Sequence, residues 1–316
     1  MNDHAELHVV VGAGGGAGGA IVRELVARGK RVRAVGRSGR ADVPPGIEVV
    51  RGDATDAASA REFTTGATVV YHAANVPYPE WAATLPRMME ALIAGAASAG
   101  AKLVYVDNLY MYGKVAGPIT EDLPATAGTR KGALRAKLAE RLLAAHRAGD
   151  VRAAIGRASD LYGPGAVNSL AGTQVFPAVV TGKKANWAAS LDQPHSHAFV
   201  DDFARALVTL GERDEALGEV WHAPAAEPLS GRRFIELAFA AAGLPPKIGV
   251  LSKPMVLLGG LFNPTIREFG EMTYQFEAPF VVDGSKYQRA FGGDPTPHSE
   301  ALRRTIAWFR QRPKPS

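Results

Sequence analysis

Short apolar runs alternate with longer helical patterns through the first half of the chain. The runs are rich in valine, and between them apolar residues recur every three or four positions. Strands are predicted over 7–11, 31–35, 48–51, 68–72, 102–106 and 151–155, and helices over 18–28, 57–63, 86–98 and 132–147. This alternation predicts βαβ units, and hence a Rossmann-type doubly wound α/β fold with a parallel sheet covered on both faces.

Composition narrows the class of protein. The 316 residues include no cysteine, which excludes disulfides and thiolate metal sites. The net charge of +5 comes without a long basic run, so we expect no nucleic-acid partner. The polar N-terminus shows no signal peptide, and the apolar run 254–262 is too short to span a bilayer. We therefore expect a cytoplasmic protein with no membrane partner.

A glycine-rich loop follows the first predicted strand and precedes the first predicted helix. Glycine allows a sharp turn there, and the backbone N–H groups at the start of a helix attract phosphate. Because the loop lies in the first βαβ unit, it predicts a dinucleotide site. The candidate cofactor-binding residues are Gly12, Gly14, Gly15, Gly16, Ala17 and Gly18.

The end of the second strand indicates which dinucleotide is bound. NAD-selective proteins usually place an acidic residue here for the ribose 2′-hydroxyl, but the sequence reads Gly36-Arg37-Ser38-Gly39-Arg40. Arg37 and Arg40 are suited to neutralise a 2′-phosphate, and Ser38 can donate a hydrogen bond to it. The sequence therefore favours NADP(H).

The alternation of strands and helices weakens after about residue 165. The stretch 166–194 mixes glycine, proline, asparagine and aromatic residues, and a further apolar helix follows residue 199. We expect an NADP(H)-binding Rossmann domain over 1–165, to which segment 196–222 returns. Residues 166–316 are expected to form mainly a smaller C-terminal substrate-binding region.

Six ordered motifs resemble the extended short-chain dehydrogenase/reductases, the NAD(P)-dependent epimerase/dehydratase family. They are Gly12-x-x-Gly15-x-x-Gly18, Gly52-Asp53-Ala54-Thr55-Asp56, Val70-Tyr71-His72-Ala73-Ala74, Leu103 to Asn108 with Tyr112-Gly113, Arg157-x-x-Asp160-x-Tyr162-Gly163-Pro164-Gly165, and Phe199-Val200-Asp201-Asp202. The resemblance implies that Asp53 and Ala54 hold the adenine, that Ala73, Ala74 and Asn75 flank the cofactor, and that Arg157 and Ser159 lie near the nicotinamide. It also implies a homodimer through helices 86–98 and 132–147.

The catalytic residues of that family are not all present. The family uses a Ser or Thr, a Tyr, and a Lys four residues after the Tyr. Counting from Gly113 places Asn108 at the serine position, and the Lys-Leu-Ala-Glu context aligns Lys137 with the lysine and Ala133 with the tyrosine. Lys137 is therefore expected on the nicotinamide ribose, and Asn108 as an oxyanion donor.

Other groups are candidates for the missing proton donor. Tyr110 follows Asn108 by two residues and is the candidate catalytic tyrosine, while Tyr78, Tyr112 and Asp160 are expected to contact substrate. A self-activated ketone, polarised by its own hydroxyl, is another solution.

His195-Ser196-His197 lacks a third ligand, so no metal site is expected.

Three functions fit these observations. The first is an atypical NADPH-dependent ketoreductase that acts on a bulky, possibly polyketide-like or otherwise self-activated ketone. The second is a non-enzymatic NADP(H)-binding protein that senses redox state, since the cofactor loop is complete while the usual catalytic pair is not. The third is a sugar-nucleotide epimerase or dehydratase, against which Ala133 argues.

Overall fold

One parallel sheet of seven strands organises the computed structural model, which describes residues 6–312. The strands of the described residues, inside and outside this sheet, are β1 Leu7–Val11, β2 Arg31–Gly36, β3 Glu48–Arg51, β4 Val69–His72, β5 Lys102–Asp107, β6 Arg152–Arg157, β7 Asp160–Tyr162, β8 Ala185–Ala188, β9 Pro194–His195, β10 His197–Phe199, β11 Val220–His222, β12 Leu229–Ser230 and β13 Ile248–Leu251. The seven-stranded sheet has the order β11-β6-β5-β4-β1-β2-β3, and the other strands form two-stranded pairs. The predicted Rossmann-type fold is confirmed.

Helices cover both faces of this sheet. They are α1 Gly16–Ala27, α2 Ala57–Thr64, α3 Trp81–Ala99, α4 Arg130–Arg147, α5 Phe176–Val180, α6 Val200–Glu212, α7 Gly231–Ala242, α8 Lys253–Gly260, α9 Pro264–Gly270, α10 Ser285–Phe291 and α11 His298–Gln311. Within residues 6–312, no helix combines the length and apolar character that crossing a bilayer demands.

Alternate residues of the strands enter two separate cores. Val9 and Val11 pack into the core beneath α2, α3 and α4, whereas Val10 packs into the core beneath α1 and α6. Because both faces of the sheet are covered, every residue of the central strands β1 and β4 is buried. A third core, around Phe176, Trp187 and Phe234, joins α5, α7 and α11 in the C-terminal region.

The strand order reverses beside β1, which lies between β4 and β2. In sheets of this kind the crevice at the carboxyl ends of the strands, at the point of reversal, is the usual ligand site. The loops after β4, β5 and β6 leave the same edge of the sheet side by side. Strand β11 extends the sheet by pairing parallel with β6, and α6 packs on its face.

Predicted and observed element ends differ most at α3. This helix begins at Trp81, five residues before the predicted start at Pro86, which lies inside it. The Trp81 ring is buried, and its Nε1 donates to the Val76 carbonyl at 2.9 Å. The burial and hydrogen bond of Trp81 extend the helix toward its N-terminus. The sequence prediction took Pro86 as the first residue of the helix and so did not include this extension.

Candidate functional site

The glycine loop is tightly folded on its inner side and open on its outer side. Gly12 has φ +89°, and a Cβ there would lie 2.6 Å from the Ala74 backbone. A Cβ at Gly18 would lie 2.2 Å from the Gly12 carbonyl oxygen. By contrast, Gly14 and Gly15 are exposed, and a Cβ at Gly14 would meet no atom within 4 Å. Their backbone is accessible to a ligand.

The start of α1 suits an anion. The helix begins at Gly16 with Gly15 as its N-cap, no side chain caps it, and no acidic residue lies in its first turn. The first N–H groups of a helix lack intrahelical acceptors, so those of Gly16, Ala17 and Gly18 are available to phosphate oxygens. The predicted diphosphate residues are thus brought together at one helix terminus.

The loop after β2 presents two cations to solvent. Arg37 and Arg40 are exposed, and neither has an ion-pair partner among residues 6–312. The Ser38 hydroxyl donates to the Arg40 carbonyl at 3.2 Å and accepts from the Arg40 N–H at 3.3 Å. The arginines are therefore free to receive an anion, while Ser38 already has partners within the loop.

Asp53 and Ala54 follow β3 on the neighbouring loop. Oδ1 of Asp53 accepts from the Thr55 N–H and the Thr55 hydroxyl, each at 2.8 Å. These two hydrogen bonds lower the pKa of Asp53, so it is a carboxylate at neutral pH. Ala54 is buried behind it. Asp53 is exposed, so its second oxygen is accessible to a hydrogen-bond donor.

The exit of β4 lies against the glycine loop. Ala73 continues the sheet by donating its N–H to the Val11 carbonyl at 2.9 Å, and the Ala74 backbone packs on Gly12. Asn75 is exposed, and its Oδ1 accepts from the Val76 N–H at 3.0 Å. Small side chains at this point leave the crevice open at the place where the strand order reverses.

Two predicted cofactor residues at the end of β6, Arg157 and Ser159, differ in their hydrogen bonds. Arg157 is buried: its Nε donates to Asp107 at 3.0 Å and its guanidinium NH1 donates to the Tyr112 hydroxyl at 2.7 Å. Its donors are thus engaged beneath the crevice. Ser159 differs, since its buried Oγ has no hydrogen-bond partner among the residues that the structure describes. A buried hydroxyl without a partner is costly, and a ligand amide would satisfy it.

Together these features fit a nicotinamide dinucleotide. The accessible backbone of Gly14 and Gly15, the uncapped helix start and the unpaired Ser159 hydroxyl lie along the carboxyl edge of β1, β4 and β6. A ligand with an anionic centre and a polar amide end complements each of them.

Two tyrosines meet at the carboxyl edge of β4 and β5. The hydroxyls of Tyr78 and Tyr110 lie 2.9 Å apart, and both side chains are partly buried. Burial raises the pKa of each, and the charge of Asp160 raises it further. Both phenols are therefore protonated at neutral pH and can donate hydrogen bonds. Asn108 supports them, because its Oδ1 accepts from the Tyr110 N–H at 3.1 Å, while its amide N–H₂ has no partner within residues 6–312.

Tyr112 plays a different part from Tyr110. It is buried, its hydroxyl lies 2.8 Å from His222 Nε2, and the same hydroxyl accepts from Arg157. The Tyr112 hydroxyl is therefore engaged by His222 and Arg157 in this structure, whereas the sequence predicted a contact with substrate.

The inward face of α4 carries Lys131 and Arg135. Thr129 caps the helix by accepting from the Gly132 N–H at 3.0 Å, and the buried positions that follow include both residues. Each residue advances a helix by about 100°, so positions 131 and 135 share a face and position 137 lies about 200° beyond position 135. Ala133 and Lys137 are accordingly exposed. The structure shows no contact between Lys137 and Asn108 or Tyr110.

Lys131 joins the site to the C-terminal region. Its Nζ donates to Glu268 at 2.5 Å and to Glu271 at 2.6 Å, and lies 5.1 Å from the centre of the Tyr78 ring. The bond from Lys131 lowers the pKa of Glu268. This buried ammonium with two carboxylates fixes α9 and the residues after it over the tyrosine pair.

Asp160 and His195 complete the site. Asp160 lies just past β6, and its Oδ2 is 2.8 Å from Nε2 of the buried His195. Tyr274 belongs to the C-terminal region, and its buried hydroxyl has no hydrogen-bond partner in the described part of the chain. Burial and the charge of Asp160 raise the pKa of Tyr274. Among residues 6–312 no group of three side chains is arranged to hold a metal ion.

Comparison with known proteins places this geometry in a family. The sequence model of the NAD dependent epimerase/dehydratase family matches residues 8–222, more than half of the chain. The chain belongs to this family. No curated protein sequence matches it.

Solved structures of two epimerases are similar to this one in fold. UDP-glucose 4-epimerase of Thermus thermophilus, in complex with NAD, has a TM-score of 0.77 at 19% identity and covers 96% of this chain and 99% of its own. UDP-glucuronic acid 4-epimerase of Bacillus cereus, also with NAD, has a TM-score of 0.78 at 16% identity, with 96% of each chain covered. At such identities the likeness establishes the fold alone.

Sequence reasoning missed four residues of this site. Lys131 and Arg135 were detectable, because Leu138 and Leu142 continue the same helical face. The others, Glu268 and Glu271, lie too far along the chain for a local pattern to connect them with Tyr78.

Proposed function

We propose that this member of the epimerase/dehydratase family is an NADPH-dependent ketoreductase that acts on a bulky, largely apolar ketone. The observation that carries the proposal is the hydrogen-bonded pair of Tyr78 and Tyr110 hydroxyls, both with a raised pKa. Reduction of a carbonyl needs donors beside its oxygen, whereas an epimerase must begin by removing a proton. Two protonated phenols suit the first task.

The face of α4 supports the same direction of reaction. We place the tyrosine and lysine positions of the family at Lys131 and Arg135, one turn apart on the inward face, rather than at 133 and 137. Lys131 is paired with Glu268, and Arg135 donates to the Tyr105 hydroxyl. Neither position therefore carries the tyrosine that an epimerase of this family is expected to use.

The choice of cofactor rests on the loop after β2. A reduced nicotinamide dinucleotide, when bound, supplies hydride to the carbonyl carbon. Arg37 and Arg40 are exposed and unpaired within residues 6–312, so the 2′-phosphate of NADPH gains two cations there. Tyr78, Tyr110 and the amide of Asn108 then orient the ketone and stabilise the charge that develops on its oxygen.

The test is NADPH consumption with a panel of aromatic ketones and quinones. We expect turnover with at least one member, and we expect Tyr110→Phe to lower kcat by about 10²–10³-fold with little change in KM. Tyr287→Phe, in the core beneath α6, is the matched control and should leave both constants unchanged.

Two other results would contradict the proposal. Interconversion of UDP-sugars without net consumption of NADPH would identify an epimerase. Tight binding of NADPH with no turnover of any carbonyl would favour a redox-sensing protein.

A further inference from the structure

His195 lies between two hydrogen-bond acceptors. Its Nε2 is 2.8 Å from Oδ2 of Asp160, and its Nδ1 is 3.3 Å from the Gln275 carbonyl oxygen. A carbonyl oxygen has no proton to give, and an ionised carboxylate has none either. A neutral imidazole carries one proton and satisfies only one of them.

His298 shows the opposite arrangement in the same protein. Its Nε2 lies 2.8 Å from the Glu227 carbonyl oxygen, and its Nδ1 lies 3.1 Å from the Tyr162 hydroxyl. The carbonyl accepts and the hydroxyl can donate, so one proton on the His298 ring satisfies both contacts. His195 therefore differs from His298, because both of its ring nitrogens face hydrogen-bond acceptors.

The surroundings hold His195 in place. Its ring stacks on Phe276 and Phe280, with centroids 5.0 and 5.1 Å away, and it is 2% exposed. A charged ring in such a setting requires a counter-ion, which Asp160 supplies. His197, the neighbouring imidazole, is kept neutral because burial and the nearby histidines lower its pKa.

Asp160 lies between this ring and the carboxyl edge of the sheet, because it follows the end of β6 by three residues. Its side chain is 23% exposed, and its Oδ1 accepts no hydrogen bond from the described residues. Burial raises the pKa of Tyr78, Tyr110 and Tyr274, and the negative charge of Asp160 raises the pKa of all three further. Tyr274 precedes Gln275, whose carbonyl holds the other side of His195.

We propose that Asp160 and His195 form a carboxylate–imidazolium pair that stores the proton used in ketone reduction. This inference rests on the proposed function. The carbonyl carbon accepts hydride from the reduced nicotinamide, which is oxidised, and the carbonyl oxygen accepts a proton. That proton leaves His195 Nε2 and passes through the carboxyl group of Asp160. A neutral imidazole and a carboxylate remain, and solvent restores the proton.

The properties of Tyr78 and Tyr110 agree with a proton that comes from His195. Phenols whose pKa is raised hold their protons firmly, so Tyr78 and Tyr110 serve as hydrogen-bond donors to the oxygen. An imidazolium is a stronger acid than a phenol and is better matched to neutral pH.

Nitrogen NMR of the full chain with ¹⁵N-labelled histidine tests the pair without any substrate. Contacts with the Phe276 and Phe280 ring protons assign His195, so no variant is needed. At pH 7 we expect both His195 nitrogens to carry protons, while His298 carries one and serves as the internal reference. A singly protonated His195 ring would overturn the proposal.

The Asp160→Asn variant gives the second measurement. We expect its His195 to hold one proton, on Nδ1, donated to Gln275. We also expect kcat to fall about 100-fold with the dissociation constant of NADPH unchanged. Asp192→Asn, an exposed acid, is the control for both. An unchanged His195 spectrum in Asp160→Asn would refute the pairing.

The NMR and kinetic measurements separate the two proposals. A doubly protonated ring together with no reduction of any carbonyl would refute the proposed function and the role as proton donor. A singly protonated ring together with active reduction would refute the stored proton alone.

Discussion

Replacing Gly15 by alanine tests whether the glycine loop holds a diphosphate. Gly15 is exposed with φ −85°, and a Cβ there would lie 3.4 Å from the Gly12 carbonyl oxygen, an ordinary contact. We expect the free energy of unfolding to change by less than about 1 kcal/mol, because alanine is a poorer N-cap but restricts the unfolded chain. The methyl group would stand where the diphosphate approaches the backbone. Losing one charge-assisted hydrogen bond costs about 1.5–3 kcal/mol, so NADPH should bind about 10–100-fold more weakly.

Gly18 in the same loop provides the contrast. Its Cβ would lie 2.2 Å from the Gly12 carbonyl oxygen, so Gly18→Ala must displace backbone and should lower the free energy of unfolding by about 1–3 kcal/mol. Calorimetric titration with NADPH and denaturant unfolding measure the two effects separately. Gly270→Ala, where a Cβ meets nothing within 4 Å, is the control. If Gly15→Ala binds NADPH like the wild type, the diphosphate assignment is refuted.

Three further predictions concern charge. Arg37→Glu should weaken NADPH binding about 10-fold or more and leave NADH binding nearly unchanged in titrations, and equal losses would contradict a 2′-phosphate contact. Asp107→Asn removes the buried anion beside Arg157 and should cost about 3–5 kcal/mol in denaturant unfolding, whereas the exposed Asp192→Asn should leave the midpoint unchanged. Burial lowers the pKa of His222 to about 3, below its unfolded value, so stability is full above pH 6.5 and falls toward pH 3. The loss at pH 5 should be roughly 2 kcal/mol, and His222→Gln should flatten that slope in unfolding titrations.

The placement of the candidate cofactor residues at one edge of the sheet was predictable from sequence, because these residues lie in short, contiguous segments. Gly12 to Gly18 lie between one strand and one helix, and the loop from Arg37 to Arg40 follows the next strand. Local patterns determine such segments, and the fold brings them to one edge of the sheet. The strands agreed within two residues at either end for the same reason.

The residues around Tyr78 and Tyr110, on the candidate substrate side of the site, could not be predicted from local patterns. The Lys-Leu-Ala-Glu context pointed to Lys137, but the helix cap at Thr129 and the apolar periodicity place Lys131 and Arg135 inward. The pairing of Asp160 with His195 depends on how the C-terminal region folds back on the sheet, which no local pattern of the sequence describes.

The two carboxylates that hold Lys131 also limit how this helix can change. A tyrosine introduced at position 133 would point into solvent, away from Tyr78 and Tyr110. A tyrosine at position 131 would face the crevice but leave Glu268 and Glu271 without their shared cation. A new side chain on the inward face of α4 therefore requires coordinated changes on two segments that lie far apart in the sequence.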